Sequence, residues 1–319
     1  MKLNYLQIVN VLNWNYNMKH KKGENINGWL IIDKPRDIGS TPVVNLTRRL
    51  FNAKKNGHAG TLDPFATGVL PIAFGEATKL LPYVTDGEKE YEFVLQFGAF
   101  TNTDDSEGEI IEISEKIPTQ EEIEQVIPLF LGKIKQTPPV YSAIKINGQR
   151  AYKLAREGKD VEIPEREIEI YDLKLIETNA NRQAKFWVKC SKGTYVRTLG
   201  RDIAVKLGAK GYLQELRRVK CGKFSINDAI LLEKIKNMVH IDDLMKNLLP
   251  LETSLRDIAD LAVSEDDAIK LKKGQGLSPR SYDVKNYVGQ ELCAFSQGEL
   301  VAIVRIDETR ISPVRVFNL

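Results

Sequence analysis

The chain has 319 residues, 42% of them hydrophobic and 28% charged, with a formal net charge of +3, a composition expected of a soluble globular protein long enough for two domains. Its longest apolar runs, such as Val69–Phe74, fall far short of the roughly 20 residues that span a bilayer, and Tyr5–Trp14 is broken by Gln7, Asn10 and Asn13, so neither a membrane span nor a secretory signal is visible. Three scattered cysteines (Cys190, Cys221, Cys293) without a CxxC pair, and only three histidines (His20, His58, His240), argue against a disulfide framework, a zinc site or a His-rich metal centre.

A cytoplasmic protein is the expectation, and an all-carboxylate magnesium site stays open. Residues 1–26 are Asn- and Lys-rich without periodicity and read as a poorly ordered extension, with Met18 a possible alternative start. Asn27–Asp33 reads as a strand. Thr41-Pro42 then predicts an N-cap and a first-turn proline for a helix to about Phe51. The next segment, "GHAGTLDPFATG", is a glycine-rich loop holding a single acid, Asp63, and it runs into a buried strand at Val69–Phe74.

Tyr91, Phe93, Leu95 and Phe97 alternate with Glu92, Val94 and Gln96, which predicts a half-buried strand opened by Tyr91. Thr119-x-x-Glu122 has capping-box spacing for a helix, with Gly132 beyond its end. Phe186, Val188 and Cys190 predict another strand that delivers "SKGTYVRTLGRDIA". Leu199, Ile203 and Leu207 predict a following helix, stopped by Gly208. Past about Pro250 come a short helix near Ser264 and strands at 292–295, 300–306 and 314–317, a small and mostly β module. Neither a Walker loop nor a GxGxxG fingerprint occurs.

Charge is unevenly placed. From Lys192 to Lys223 the balance is +7, and from Asp104 to Glu124 it is −8. Such polarity suggests one face that attracts an anionic polymer and another that repels it; solvated faces of opposite sign are the plainer reading.

Glycines 57, 60 and 68 free the backbone of the loop and Pro64 stiffens it, so Asp63 can be held in one orientation. A fixed aspartate can serve as nucleophile, general base or metal ligand, or simply close an Asx-turn on its own backbone. Alternation along an extended Tyr195-Val196-Arg197 would put an aromatic plane and a guanidinium on one face, the latter able to pair with a buried carboxylate.

Three segments, "GHAGTLDPFATGVLPI", "QTPPVYSAIKINGQRAYKLAREG" and "CSKGTYVRTLGRDIA", closely resemble the bacterial TruB family of tRNA pseudouridine-55 synthases, in that family's order and from about Gly28 to the C-terminus. The resemblance implies an α+β pseudouridine-synthase fold, a mixed, largely antiparallel sheet flanked by helices, over residues 27–250. A small β-rich, PUA-like RNA-binding domain is implied for 251–319. It implies isomerisation of the T-arm uridine at position 55 of tRNA, without cofactor or metal, by an enzyme that flips the base into its site.

Within that resemblance Asp63 matches the catalytic aspartate, Tyr91 the active-site tyrosine that stacks on the base and is a candidate acceptor of the C5 proton, and Arg197 the arginine paired with the aspartate. Tyr195 and Leu216 match pocket residues. His58 matches a histidine that stacks into the T loop, and Lys34 the lysine of a KP motif serving the active-site region or RNA backbone. Tyr141 and Lys145 match the substrate cleft. Beyond Lys34-Pro35 the sequence departs from the pattern, with Asp37 where the family usually has glycine. The expected partner is tRNA, gripped on its acceptor-stem side by the C-terminal domain; no protein partner is implied and a monomer is expected. The rivals are an RNA-binding or RNA-folding protein independent of catalysis, and an aspartate-based hydrolase.

Overall fold

The computed structural model describes residues 23–142, 144–146, 148–151, 154, 163–238 and 240–319; the expectations for residues 1–22, including Met18, lie outside them. The first elements are β1 (Gly28–Lys34), a helix over Ser40–Leu50, β2 (Asn56–His58), β3 (Thr67–Phe74) and β4 (Lys89–Phe97). A hairpin of β5 (Ala99–Thr101) and β6 (Ile110–Ile113) follows, then a helix over Gln120–Val126, β7 (Gly132–Gln136) and a hairpin of β8 (Lys145–Ile146) and β9 (Gln149–Arg150). Next come β10 (Arg166–Asn179), β11 (Gln183–Cys190), a helix over Val196–Lys206, β12 (Gly211–Cys221), β13 (Phe224–Ser225) and β14 (Ile230–Leu231).

Ten of these strands build one sheet whose main path is β14-β1-β3-β12-β4-β11-β10-β7, with β2 beside β3 and β13 beside β12; the β5-β6 and β8-β9 hairpins stand apart from it. Pairing is antiparallel except for β1 with β14 and β3 with β12. The latter contact pairs only Thr67 with Arg217 and Gly68 with Arg218, a narrow seam between two halves of the sheet. Gly68 sits there at φ +99°, and a Cβ would collide with the Arg218 carbonyl oxygen, so glycine is required on both counts.

β1 and β3 are buried on both faces, which explains their near-continuous apolar sequence. Leu30, Ile32, Leu70 and Ile72 join the helical core with Val43, Leu199 and Ile203. The alternate residues Trp29, Ile31, Val69 and Ala73 form a second core with Leu251, Leu255, Leu300, Ile303 and Phe317. The C-terminal sheet, β15 (Asp260–Ala262), β16 (Glu291–Ser296), β17 (Glu299–Ile306) and β18 (Ile311–Val316), therefore lies against the back of β1 and β3. Trp29 Nε1 donates to the Leu251 carbonyl (3.2 Å), and Tyr83 donates to Glu291 (2.6 Å), across the same contact.

Local signals hold in most places. Thr119 and Glu122 form the capping box, and Ser264 caps the helix Glu265–Lys272 through Asp267 N–H. Three details differ. The first helix starts at Ser40 rather than behind a Thr41 cap, because the Ser40 hydroxyl is used to bridge the Leu62 carbonyl and N–H (2.9 and 2.8 Å). Tyr91 is the third residue of β4, whose pairing with β11 begins at Lys89. The segment Tyr195-Val196-Arg197 is not a strand: only Tyr195 is extended, as the N-cap, and Arg197 lies in the first helical turn.

Candidate active site

A cleft of about 1120 Å³ opens beside the seam. The loop between β2 and β3 brings Asp63 to it, β4 brings Tyr91, β12 brings Leu216 and Arg218, and the start of the helix Val196–Lys206 brings Tyr195 and Arg197. Tyr141 and Ser142 close another side. The side chain of Lys145 falls outside what is described; its backbone lies in β8.

Arg197, 4% exposed, is the hub. Its Nε lies 3.0 Å from Asp63 Oδ2 and its Nη1 3.2 Å from Asp105 Oδ2. Nη1 also donates to the Thr103 carbonyl (2.9 Å), and Nη2 to the Tyr141 carbonyl (3.0 Å). One guanidinium thus donates three hydrogen bonds and adds an ion pair at Nε, which fixes its plane and the carboxylate it offers to the cleft. Asp105 is fixed in turn, accepting from Thr103 Oγ1 (2.6 Å) and Glu107 N–H (3.0 Å). Asp63 reaches Arg197 with its carboxylate, in place of an Asx-turn on its own backbone. Burial raises the Asp63 pKa above its ordinary value, against the opposing pull of Arg197.

Although the expected shared strand face is absent, Tyr195 and Arg197 still meet the same cleft. The Gln136 side chain clamps Tyr195 by both backbone groups, accepting from its N–H (2.8 Å) and donating to its carbonyl (3.0 Å). That clamp holds Tyr195 extended while the chain turns into helix one residue later.

Two buried cations hold the Asp63 loop. Lys34 is fully buried and its Nζ donates to the carbonyls of Pro35 (2.8 Å), Ile38 (2.6 Å) and Pro64 (3.2 Å). It ties the two loops together and has no exposed surface, an arrangement that fits support of the active-site region, the first of the two roles expected for it. Burial lowers its pKa to about 8, with Asp63 opposing. Arg218, also fully buried, donates from Nε to the Val69 carbonyl (2.8 Å) and from Nη2 to the Gly60 carbonyl (3.0 Å), pinning the loop on both sides of Asp63.

Asp37 takes φ +65°, the left-handed region, and its N–H donates to the Pro64 carbonyl (2.9 Å). The loop shape that glycine would favour is therefore kept by a residue that tolerates it at a cost. Tyr91, half-buried on the central strand, pairs in register with Val188 and Arg218, and burial raises its pKa, so it is a neutral phenol. His58, on β2, has its pKa lowered by burial first and by Arg218 second; its Nδ1 is buried without a partner among the described residues. It stands five residues before Asp63 and is not among the residues that line the cleft.

The opposite-sign segments do not form separate faces. Arg197 meets Asp105, Arg201 meets Asp104 (3.1 Å), and Lys210 meets Glu112, so the basic run folds onto the acidic one. Lys192, Arg217, Lys220 and Lys223 are paired elsewhere, with Asp86, Asp33, Glu90 and Asp257. Sequence reasoning missed Asp105, Arg218 and Arg166, the last of which lines the cleft beneath Tyr195. Asp105 was hidden among nine acids, and nothing in a linear sequence marks which of them is buried. Among the described residues no group of three or more His, Cys, Asp or Glu is placed to hold a metal ion, and no helix is long and apolar enough to cross a membrane.

Sequence comparison places this geometry. The profile for the TruB family pseudouridylate synthase N-terminal domain matches residues 48–196, and that for the tRNA pseudouridylate synthase B C-terminal domain matches 197–256. A tRNA pseudouridine synthase B of Caulobacter vibrioides is 44% identical over 307 residues, spanning 94% of this chain and 99% of the relative. The chain belongs to the TruB family of pseudouridylate synthases. A second TruB relative, the tRNA pseudouridine synthase B of Agrobacterium fabrum, is 46% identical over 305 residues, covering 93% of this chain and 96% of the relative. The fold is shared with the solved structure of a Cbf5-Nop10-Gar1 complex, with a TM-score of 0.70 at 24% identity over 91% of this chain and 84% of that one. The TruB profiles meet between Val196 and Arg197, so Asp63 and Arg197 fall in different ones and are joined only in the folded cleft.

Proposed function

We propose that the protein isomerises uridine to pseudouridine in tRNA, at the T-arm position 55, with Asp63 as the catalytic carboxylate. The observation that carries this reading is the Asp63–Arg197–Asp105 chain at the mouth of the cleft, within a member of this family. In the reaction the N1–C1′ bond of the target breaks, C1′ joins C5, C5 loses a proton and N1 gains one. Nothing is consumed, so no cofactor is called for. Asp63 serves glycosidic cleavage, while Arg197 keeps it oriented and favours its charged form.

A uridine within a folded loop cannot reach Asp63 unless it is turned out of the stack, at a cost of a few kcal/mol. Tyr91 offers a ring on which the extruded base can stack, and its raised pKa favours this role over that of a phenolate base. Leu216, Tyr141 and Tyr195 supply the remaining walls. His58, neutral and just outside the cleft, is suited to stack among the bases left behind. The C-terminal sheet is the surface for the acceptor-stem side.

The test uses unmodified tRNA transcripts carrying tritium at uridine C5, with EDTA present and no added cofactor. Tritium is expected to reach water at about one equivalent per tRNA, because forming the C5–C1′ bond displaces that hydrogen, and to stop when the T-arm target is cytidine. Asp63→Asn should abolish release while leaving tRNA affinity within about threefold, since phosphate contacts dominate binding. Tight binding without release by the wild type would favour a non-catalytic RNA-binding protein.

A further inference from the structure

Within the cleft one cation stands apart from the rest. Arg166, the first residue of β10, lines the same cleft as Asp63. Its Nε and Nη2 are buried and have no hydrogen-bond partner among the described residues. Its Cζ lies 4.6 Å from the centroid of the Tyr195 ring, which backs the guanidinium plane. The next residue, Glu167, is turned to Lys133 (3.3 Å) and does not neutralise it. The Ser142 hydroxyl, 3% exposed and lining the same cleft, is likewise unpartnered.

Buried guanidinium N–H groups without partners are costly, and elsewhere in this site the arginines are held by several acceptors: Arg197 by two carboxylates and two carbonyls, and Arg218 by two carbonyls. The idle edge of Arg166 is a planar fork of two N–H groups, which matches two oxygens of a tetrahedral or planar anion. Asp63 and Asp105 are already engaged by Arg197, and among the described residues no carboxylate is bonded to Arg166, which leaves its idle edge open to an anion brought by the ligand. The anion that an RNA strand brings into a cleft holding one of its bases is a backbone phosphate.

We propose that Arg166, braced by Tyr195, is a phosphate-binding point on the cleft wall that grips the backbone beside the extruded nucleotide. The inference rests on the RNA-substrate reading above and adds a positioning residue to it. Gripping one phosphate fixes the distance between backbone and base, and so helps select which nucleotide of the loop reaches Asp63.

The experiment uses the full-length protein and a T-arm stem-loop RNA labelled at C5 of the target uridine, together with a set in which one loop phosphate at a time is replaced by an uncharged methylphosphonate. The wild type is expected to lose about tenfold in affinity at one linkage next to the target, the size of one charge-assisted contact. Arg166→Gln should lose about as much on the unmodified RNA and nothing further at that linkage, and its log Kd against log salt slope should fall by about 0.7. Arg166→Lys, which keeps the charge, should stay sensitive at the same linkage. The proposal is overturned if no single linkage matters to the wild type, a result that needs no variant, or if Arg166→Gln and the sensitive linkage weaken binding additively. A wild type that binds the unmodified RNA but releases no tritium overturns the catalytic reading and leaves the linkage scan to decide the phosphate site; one that does not bind it overturns both.

Discussion

At the scale of single residues the site is a chain of charges in which each member depends on its neighbour's ionisation. Because burial raises the Asp63 pKa, protonation of its carboxylate begins at higher pH than for a free side chain. The acid limb of kcat/KM is therefore expected above 3.8, the ordinary carboxylate value. Replacing Arg197 by Met removes the opposing pull and should move that limb further up; a limb unchanged in that variant would refute the pairing. Lys34 carries the alkaline side. Its ammonium lies near Asp63 and loses a proton at about pH 8, so activity should decline above that point, measured as kcat/KM on one RNA across pH. Its own effect on stability runs the other way: the unfolded lysine holds its proton to about 10.5, so between the two values folding is favoured as pH rises. Asp105→Asn keeps an acceptor for Thr103 and Glu107 but deletes one of the two carboxylates on Arg197; with Asp63 still paired it should cost about 1.5–3 kcal/mol by denaturant unfolding, the size of one charge-assisted hydrogen bond, and lower turnover. Asp63 and Arg197 could be picked out in the sequence because their motifs are long and ordered. Asp105 could not, since its importance comes from its burial at 2% exposure against Arg197, which no local pattern among the acids around it marks.

At the scale of elements, the signals that reside in a few consecutive residues were readable and those that depend on a distant partner were not. The capping box of Thr119 and Glu122 and the alternation of β4 are local, and both are present. The helix start at Val196 is set instead by Gln136, which captures Tyr195 from 59 residues away, so alternation runs two residues too far, over Val196 and Arg197. Likewise Ser40 enters the helix because its hydroxyl is used by Leu62. The turn at Asp37 gives a direct test of element chemistry. Asp37→Gly removes the strain of φ +65° while keeping the backbone bond to Pro64, and is expected to stabilise the protein by about 0.5–1 kcal/mol in reversible unfolding. Destabilisation by a similar amount would mean that the aspartate side chain contributes more to the loop than its backbone strain costs.

For the whole molecule, the sequence suggests a boundary near Pro250, yet the core does not stop there. Trp29, Ile31 and Val69 are covered by Leu251, Leu300 and Phe317, so deleting residues 251–319 would bare the back of the strands that carry the Asp63 loop. The fragment is expected to lose cooperative thermal unfolding, followed by near-UV circular dichroism; a sharp transition at the wild-type midpoint would refute this. The seam between β3 and β12 has a consequence of another kind, in time. The paired positions Thr67 and Arg217 are 150 residues apart, and contacts of such separation are the slow ones to form. On the ribosome the Asp63 loop is made first, whereas Arg197 and the strand that closes the seam come much later. Until they arrive, the growing chain carries the Asp63 carboxylate without its arginine and without the Leu216 side of the cleft, so a nascent polypeptide that meets RNA does so with an incomplete site.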